Sequence, residues 1–285
     1  MTVSKREMTS SYRIAQELFK DRLRKHSPET LELLDEIHAA DVIVVGGSYD
    51  HIEQVLDAAD TPYTLIEPKT IDKAKLRPDQ VVFINCPGNL NKKGLRKLES
   101  FVHVGGFLFT TDWALRHVIE TAFPGFLAFN DRPTLDEVVR IEILDREDTI
   151  LQSVLDEQDD PQWWLEGSSY PIQILDSKRV RVLIQSKELK ERHGEAPVFV
   201  SFDYGEGQVY HMISHFYLQR SETRTARHAA PSTDYLASKG VAAADMAKFR
   251  DLGSDEFPTS DVESAYTSYA MIQAVMLKKK RRGKK

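Results

Sequence analysis

The run Asp41-Val42-Ile43-Val44-Val45-Gly46-Gly47-Ser48 limits the fold of this chain more than any other stretch. Its four consecutive β-branched residues leave no polar face. The strand they form must therefore be covered on both sides, as in a parallel sheet flanked by helices. The two glycines then permit a tight turn into a helix on which Ile52, Val55 and Leu56 share one side. The rhythm repeats. Tyr63-Thr64-Leu65-Ile66 and Val81-Val82-Phe83-Ile84-Asn85 read as a second and third strand. Asn89 to His103 places Leu90, Leu95, Leu98, Phe101 and Val102 at near-helical spacing, closes on Gly105-Gly106, and launches a fourth strand, Phe107 to Thr111. This alternation predicts an α/β fold: a mostly parallel sheet sandwiched by helices, of flavodoxin-like type.

Other patterns flank that core. Ile14, Leu18 and Leu23, then Leu31, Leu34 and Ile37, recur at helical spacing, and Ser27-Pro28-Glu29 opens the second of two helices. Residues 1–39 thus form a helical extension. After the fourth strand the pattern turns antiparallel: Val138 to Leu144, short strands near 171–175 and 179–185, and a hairpin of Val198 to Tyr204 and Gln208 to Ser214 turning at Gly205-Glu206-Gly207. These extend the core, which is expected over 40–220. Residues 220–260 are polar and irregular. A helix from Asp261, capped by Thr259-Ser260-Asp261, puts Val262, Tyr266, Tyr269, Ile272 and Met276 on one face, so 221–277 is expected to pack on the core. The run 278–285 reads as a basic tail, frayed and solubilising, or a handle for nucleic acid or anionic lipid.

Composition excludes several classes. The 285 residues are 41% hydrophobic and 29% charged, enough to bury a core, and the net charge of −6 argues against nucleic-acid binding outside the basic run. One cysteine rules out an intramolecular disulfide framework and any Cys-rich metal site, and a cytoplasmic setting fits it. Met1 to Lys25 has no leader-like apolar run, and no window approaches the ~20 apolar residues that span a bilayer.

The segments "VIVVGGSYDH", "VVFINCPGNLNKKGLRKLESFVHVGGFLFTTDWAL" and "GEGQVYHMISHFY" together resemble the class I glutamine-amidotransferase-like superfamily, and within it the ThuA-like branch. The resemblance covers residues 40–220. It implies a nucleophilic cysteine at an elbow after the strand that follows Gly105-Gly106, and a late histidine near the site. The elbow here reads Phe109-Thr110-Thr111-Asp112-Trp113, without a cysteine, and the His-Ala pair of many ThuA-like proteins is absent too. A glutaminase mechanism therefore does not carry over.

The candidate catalytic residues are Cys86, Asp112 and His215. Cys86, the lone thiol, ends the third strand, where open α/β sheets bind ligands. Ahead of a helix it reads as an activated nucleophile, or else as a small apolar filler held by Pro87. Asp112 is a nucleophile, or an acceptor for a helix N-terminus. His215 is a general base or ligand; strand alternation puts it on one face with His211, ~13 Å away. The candidate ligand-binding residues are Gly47, Ser48 and Tyr49 in the first βα loop, Asn89, Trp113, and Glu166, which the resemblance brings to the pocket. Trp163-Trp164 reads as lid packing or a subunit contact. No metal site is expected, since His211 and His215 lie too far apart on a strand to share an ion, and no cofactor, since the Gly46-Gly47 turn lacks the spacing of a nucleotide-binding loop.

Three functions follow. One is a non-glutaminase amidotransferase-like domain binding a small polar ligand or a partner protein at the strand tips. Another is a hydrolase or isomerase acting on a small carbonyl or sugar-like substrate through Cys86, or Asp112 with His215. The third is a structural subunit, assembling as a homo-oligomer. Whether the chain is an enzyme stays open at this point.

Overall fold

In the computed structural model, residues 5–144, 156, 159–216 and 221–283 are described. The chain enters through α1 (Lys5–His26) and α2 (Pro28–Asp35), then runs β1 (Val42–Val45), α3 (Ile52–Ala58), β2 (Thr64–Ile66), β3 (Val81–Ile84), α4 (Lys92–His103) and β4 (Phe107–Thr111). Every residue of β1, β3 and β4 is buried, which is what their unbroken apolar runs demand. A helical turn at Leu115–Ile119 follows β4.

The second half supplies β5 (Leu127–Phe129), β6 (Glu137–Arg140), β7 (Glu142–Ile143), β8 (Gln162–Leu165), β9 (Ile172–Ile174), β10 (Val180–Gln185), β11 (Pro197–Tyr204) and β12 (Gly207–Met212). The main sheet has the order β2-β1-β3-β4-β12-β11-β10-β7. Its first five strands are parallel, and β11, β10 and β7 add antiparallel pairs. The fold is thus the expected α/β type, with the late hairpin delivering a fifth parallel strand beside β4.

Local expectations met three differences. The run Val138 to Leu144 splits at Ile141: β6 joins a separate ribbon with β8, while β7 becomes the far edge of the main sheet. Residues 221–258 carry three short α-helices, Ala226–Ala229, Ser232–Ser238 and Met246–Asp251, and a 3-10 turn, Ser254–Glu256. The last helix, Thr259–Gly283, is buried on every side from Val262 to Leu277 against α1 and the sheet, where the sequence pattern implied a single apolar face. Its polar residues are tolerated inside because each finds a partner: Glu263 meets Arg227, Gln273 Nε2 donates to Thr61, and Ser264 Oγ to the Gln162 carbonyl.

That helix also absorbs most of the basic run. Lys279 donates to the Gly105 carbonyl at 2.7 Å, Lys278 to the Tyr210 hydroxyl at 3.0 Å, and Lys280 pairs with Asp41 at 2.9 Å. Arg281 reaches Thr30 Oγ1, and Arg282 lies over the Phe107 ring. These cations pin the helix end to the sheet and to α2 rather than fraying into solvent. Lys284 and Lys285 lie outside the described residues.

Candidate functional site

The order β3-β4-β12 puts three adjacent parallel strands side by side, so the residues that follow them emerge together at one edge of the sheet. Cys86 comes two residues after β3, Asp112 directly after β4, and His215 three residues after β12. Their ligating atoms all lie within 4.8 Å of one another, and all three residues are buried. His215 Nε2 is 3.1 Å from Asp112 Oδ2, and His215 Nδ1 is 2.8 Å from Glu166 Oε2. Glu166 follows β8 directly and stands at the mouth, its side chain 46% exposed.

Backbone geometry builds the cluster. Asp112 adopts a left-handed conformation, φ 45°, while its N–H continues the ladder to the Met212 carbonyl at 2.8 Å. A non-glycine residue held in that region costs on the order of 1 kcal/mol or more, and such residues gather at functional sites. Ser168, φ 75°, lies across the same pocket. Ser169 Oγ donates to Asp112 Oδ2 at 3.1 Å and the Tyr170 N–H to Oδ1 at 2.8 Å. The donors to the Asp112 carboxylate thus come from the 166–170 loop, not from a helix N-terminus as one sequence reading had it. His215 also departs from expectation: β12 stops at Met212, so strand alternation does not extend from His211 to His215.

The first βα loop forms a support behind the cysteine. The Ser48 and Tyr49 N–H groups donate to the Cys86 carbonyl at 3.0 and 3.2 Å. A Cβ on Gly47 would stand 2.3 Å from that carbonyl oxygen, so only glycine allows the approach. Opposite, the Gly88 N–H closes a turn onto the Asn85 carbonyl at 3.0 Å.

The resulting pocket encloses about 210 Å³ and is lined by Tyr49, Cys86, Asp112, Trp113, Glu166, Gly167, Ser168 and His215. Tyr49 and Trp113 meet edge to face at 5.1 Å, and Trp113 stacks on Tyr170 at 5.5 Å. The Trp113 indole N–H is tied to the Ser168 carbonyl at 2.6 Å, so the ring is a fixed wall. Of the expected ligand residues, Tyr49, Trp113 and Glu166 line the pocket. Gly47 and Ser48 support it through backbone, and Asn89 is exposed beyond the Gly88 turn, outside the lining. Trp163 is a core residue and Trp164 bonds Asp136, so the pair forms no face toward the pocket. Ser168, Ser169 and Tyr170 were not singled out by sequence; the strand Trp163-Trp164 leading into Glu166 was the available signal.

The charges are uneven. Burial pushes the Cys86 thiol up to about 11, against the pull of its hydrogen bond with His215, and the Asp112 charge adds to the rise. It is no preformed thiolate: α4 starts only at Lys92, too far on to act on it. Burial likewise raises Asp112, with His215 opposing. Burial alone would lower His215, but hydrogen bonds from its ring to Asp112, Cys86 and Glu166 hold it well above its ordinary value, helped by the buried charge of Asp50. His211, by contrast, sits inside the sheet with Nδ1 2.8 Å from Thr110 Oγ1, and burial drives it down to about 3. It is a neutral core residue.

The set Cys, Asp and His at this separation is also a possible cation donor set, which the linear spacing concealed because each member comes from a different strand.

No family model matches the chain, and no curated protein matches it. Solved structures to which the chain shows similarity include Gan42B, a GH42 β-galactosidase from G. stearothermophilus (14% identity, TM-score 0.41, covering 61% of this chain and 27% of that one). Others are the cytoplasmic protein STM3548 from Salmonella typhimurium (13%, 0.44, 61% and 87%) and a ThuA-like protein from Bacteroides uniformis (11%, 0.40, 62% and 82%). The match spans about a quarter of the β-galactosidase's length. No described helix is long and apolar enough to cross a membrane.

Proposed function

We propose that the strand-tip pocket binds a small, neutral, hydroxyl-rich molecule of sugar-like type. The observation that carries this reading is the pairing of an aromatic wall, Tyr49 and Trp113, with the chain Asp112–His215–Glu166, buried at Asp112 and His215 and open at Glu166, on the other side. Aromatic faces pack against the C–H faces of such ligands, while carboxylates and imidazole take their hydroxyls. Two carboxylates facing one histidine disfavour anions. The thiol, held up near 11, adds polarity without acting as a nucleophile at neutral pH.

Thermal melting of metal-free protein against a panel of neutral mono- and disaccharides tests this. A ligand at 100 times its dissociation constant adds about 2.7 kcal/mol, a readily measured rise in Tm. Trp113→Ala and Asp112→Asn should each remove the rise while keeping the fold. A wild-type Tm unmoved by every sugar would end the proposal, as would a rise that both variants retain.

A second reading rests on the left-handed backbone of Asp112 at the strand-to-helix elbow. There the Asp112–His215 pair would move a proton on a bound carbonyl compound, as an isomerase does. Solvent deuterium entering the bound sugar in wild type, and not in His215→Gln, distinguishes it from simple binding.

A further inference from the structure

We infer that the Cys86 thiolate, the Asp112 carboxylate and His215 Nε2 form a binding site for a zinc-class divalent cation, with its remaining position open to the pocket. The inference rests on reading this pocket as a binding site, but not on the identity of its organic ligand.

The donor chemistry comes first. One sulfur, one imidazole nitrogen and one carboxylate oxygen suit zinc and its neighbours, and not calcium or magnesium, which take oxygen alone. Zinc bonds run about 2.3 Å to sulfur and about 2.0–2.2 Å to nitrogen and oxygen. Donor atoms all within 4.8 Å of one another can surround such an ion after small side-chain rotations. Three protein ligands and a free fourth position describe an open site, and the free side here faces the 210 Å³ pocket.

The outer contacts are an independent observation. Metal-binding histidines pass their second ring N–H to a carboxylate, which fixes the tautomer and the ring plane. His215 does this: Nδ1 faces Glu166 at 2.8 Å and leaves Nε2 on the side of Asp112 and Cys86. Asp112 is aimed by two donors of its own, Ser169 Oγ and the Tyr170 N–H. The Cys86 backbone is gripped from both sides, its N–H donating to Thr111 Oγ1 at 3.1 Å and its carbonyl accepting from Ser48 and Tyr49. Each donor residue is thus held in place by atoms that are not themselves donors to the ion. On binding, the thiol proton leaves to solvent and the sulfur takes its place on the metal.

Cobalt(II) titration of the chelator-treated, untagged full chain tests the site. Cys86 is the only thiol, so a thiolate-to-cobalt charge-transfer band in the near ultraviolet can arise nowhere else. The expected result is that band, saturating at one equivalent, with tetrahedral-type absorption in the visible and loss of both on adding zinc. Cys86→Ser should abolish the charge-transfer band. Glu166→Gln, a change at a positioning residue, should keep the band but weaken zinc affinity by roughly 10–100-fold. Wild-type protein that shows no thiolate band with excess cobalt overturns the inference, needing no variant that must fold. A sugar panel without effect alongside an intact cobalt band would sink only the ligand reading; the reverse would sink only the metal.

Discussion

Two clusters of charged side chains, one beside the 221–258 segment and one at the strand tips, are treated differently by the fold. Beneath the 221–258 segment, Lys239 pairs with Asp156 at 2.7 Å and with Asp159, Arg22 pairs with Asp156 at 2.8 Å, and Arg227 with Glu263 at 2.7 Å. Three cations face three anions, and the Lys239 ammonium also lies over the Tyr235 and Tyr266 rings. At the strand tips, one histidine stands among Asp112, Glu166 and the nearby charge of Asp50, beside an unionised thiol. The first cluster is balanced and closed, which is how a fold fastens distant segments. The second has an excess of acceptors, two residues with left-handed backbone and a pocket in front of it. Imbalance of that kind is tolerated where a ligand completes it.

Removing one member of each cluster should separate these roles. Lys239→Met has the largest expected effect. It leaves the nearly buried Asp159 without its ammonium, and removing one partner of such a pair costs about 3 kcal/mol, read as a lower urea midpoint at unchanged slope. A loss below about 1 kcal/mol would mean that Arg227, 3.7 Å from Asp159, carries that charge alone.

Asp112→Asn should change stability at pH 7 by less than about 1 kcal/mol, since burial already works against this carboxylate's charge. Its signature is in pH. His215 is raised in the folded protein, so its contribution is fully present below its ordinary value near 6.5 and fades as pH rises through the raised one. Asp156 is lowered to about 2; burial alone would raise it, and its bonds to Arg22 and Lys239 win. Its contribution is present above about 3.8 and fades as pH falls toward 2. Asp112→Asn should therefore flatten the alkaline side of the stability profile and spare the limb below about pH 3.8, where the raised Asp112 carboxyl is already protonated. Lys239→Met should do the reverse, and a variant that flattens both would show that the clusters are coupled.

The smallest effect is chemical. Alkylation of Cys86 by iodoacetamide in metal-free protein should be slow at pH 7 and still accelerating at pH 10, given a thiol near 11. A rate already at its plateau by pH 8 would restore the activated nucleophile.

The sheet was legible because runs such as Val42–Val45 and Phe107–Thr111 carry their burial in their composition, and glycines mark where they end. The strand tips were legible for the same reason: Cys86, Asp112 and His215 stand at the ends of recognisable strands. What escaped was whatever depends on partners far along the chain. Nothing local distinguishes Ser169 from other loop serines until Asp112 is placed beside it. Lys279 reads as tail charge until the Gly105 carbonyl appears at its tip. The last helix, with Glu263 and Gln273 inside, has no single apolar face because its polar side chains are matched from segments 36 and 212 residues away.

That buried last helix also sets an order of events during synthesis. Phe19 of α1 packs edge to face on Tyr269 at 5.6 Å, and Arg281 reaches Thr30 across 251 residues of sequence. As the chain leaves the ribosome, α1 can meet α2 and α3 early, but its largest partner, the last helix, arrives only after nearly the whole described sequence. The long separation makes closure of that contact slow.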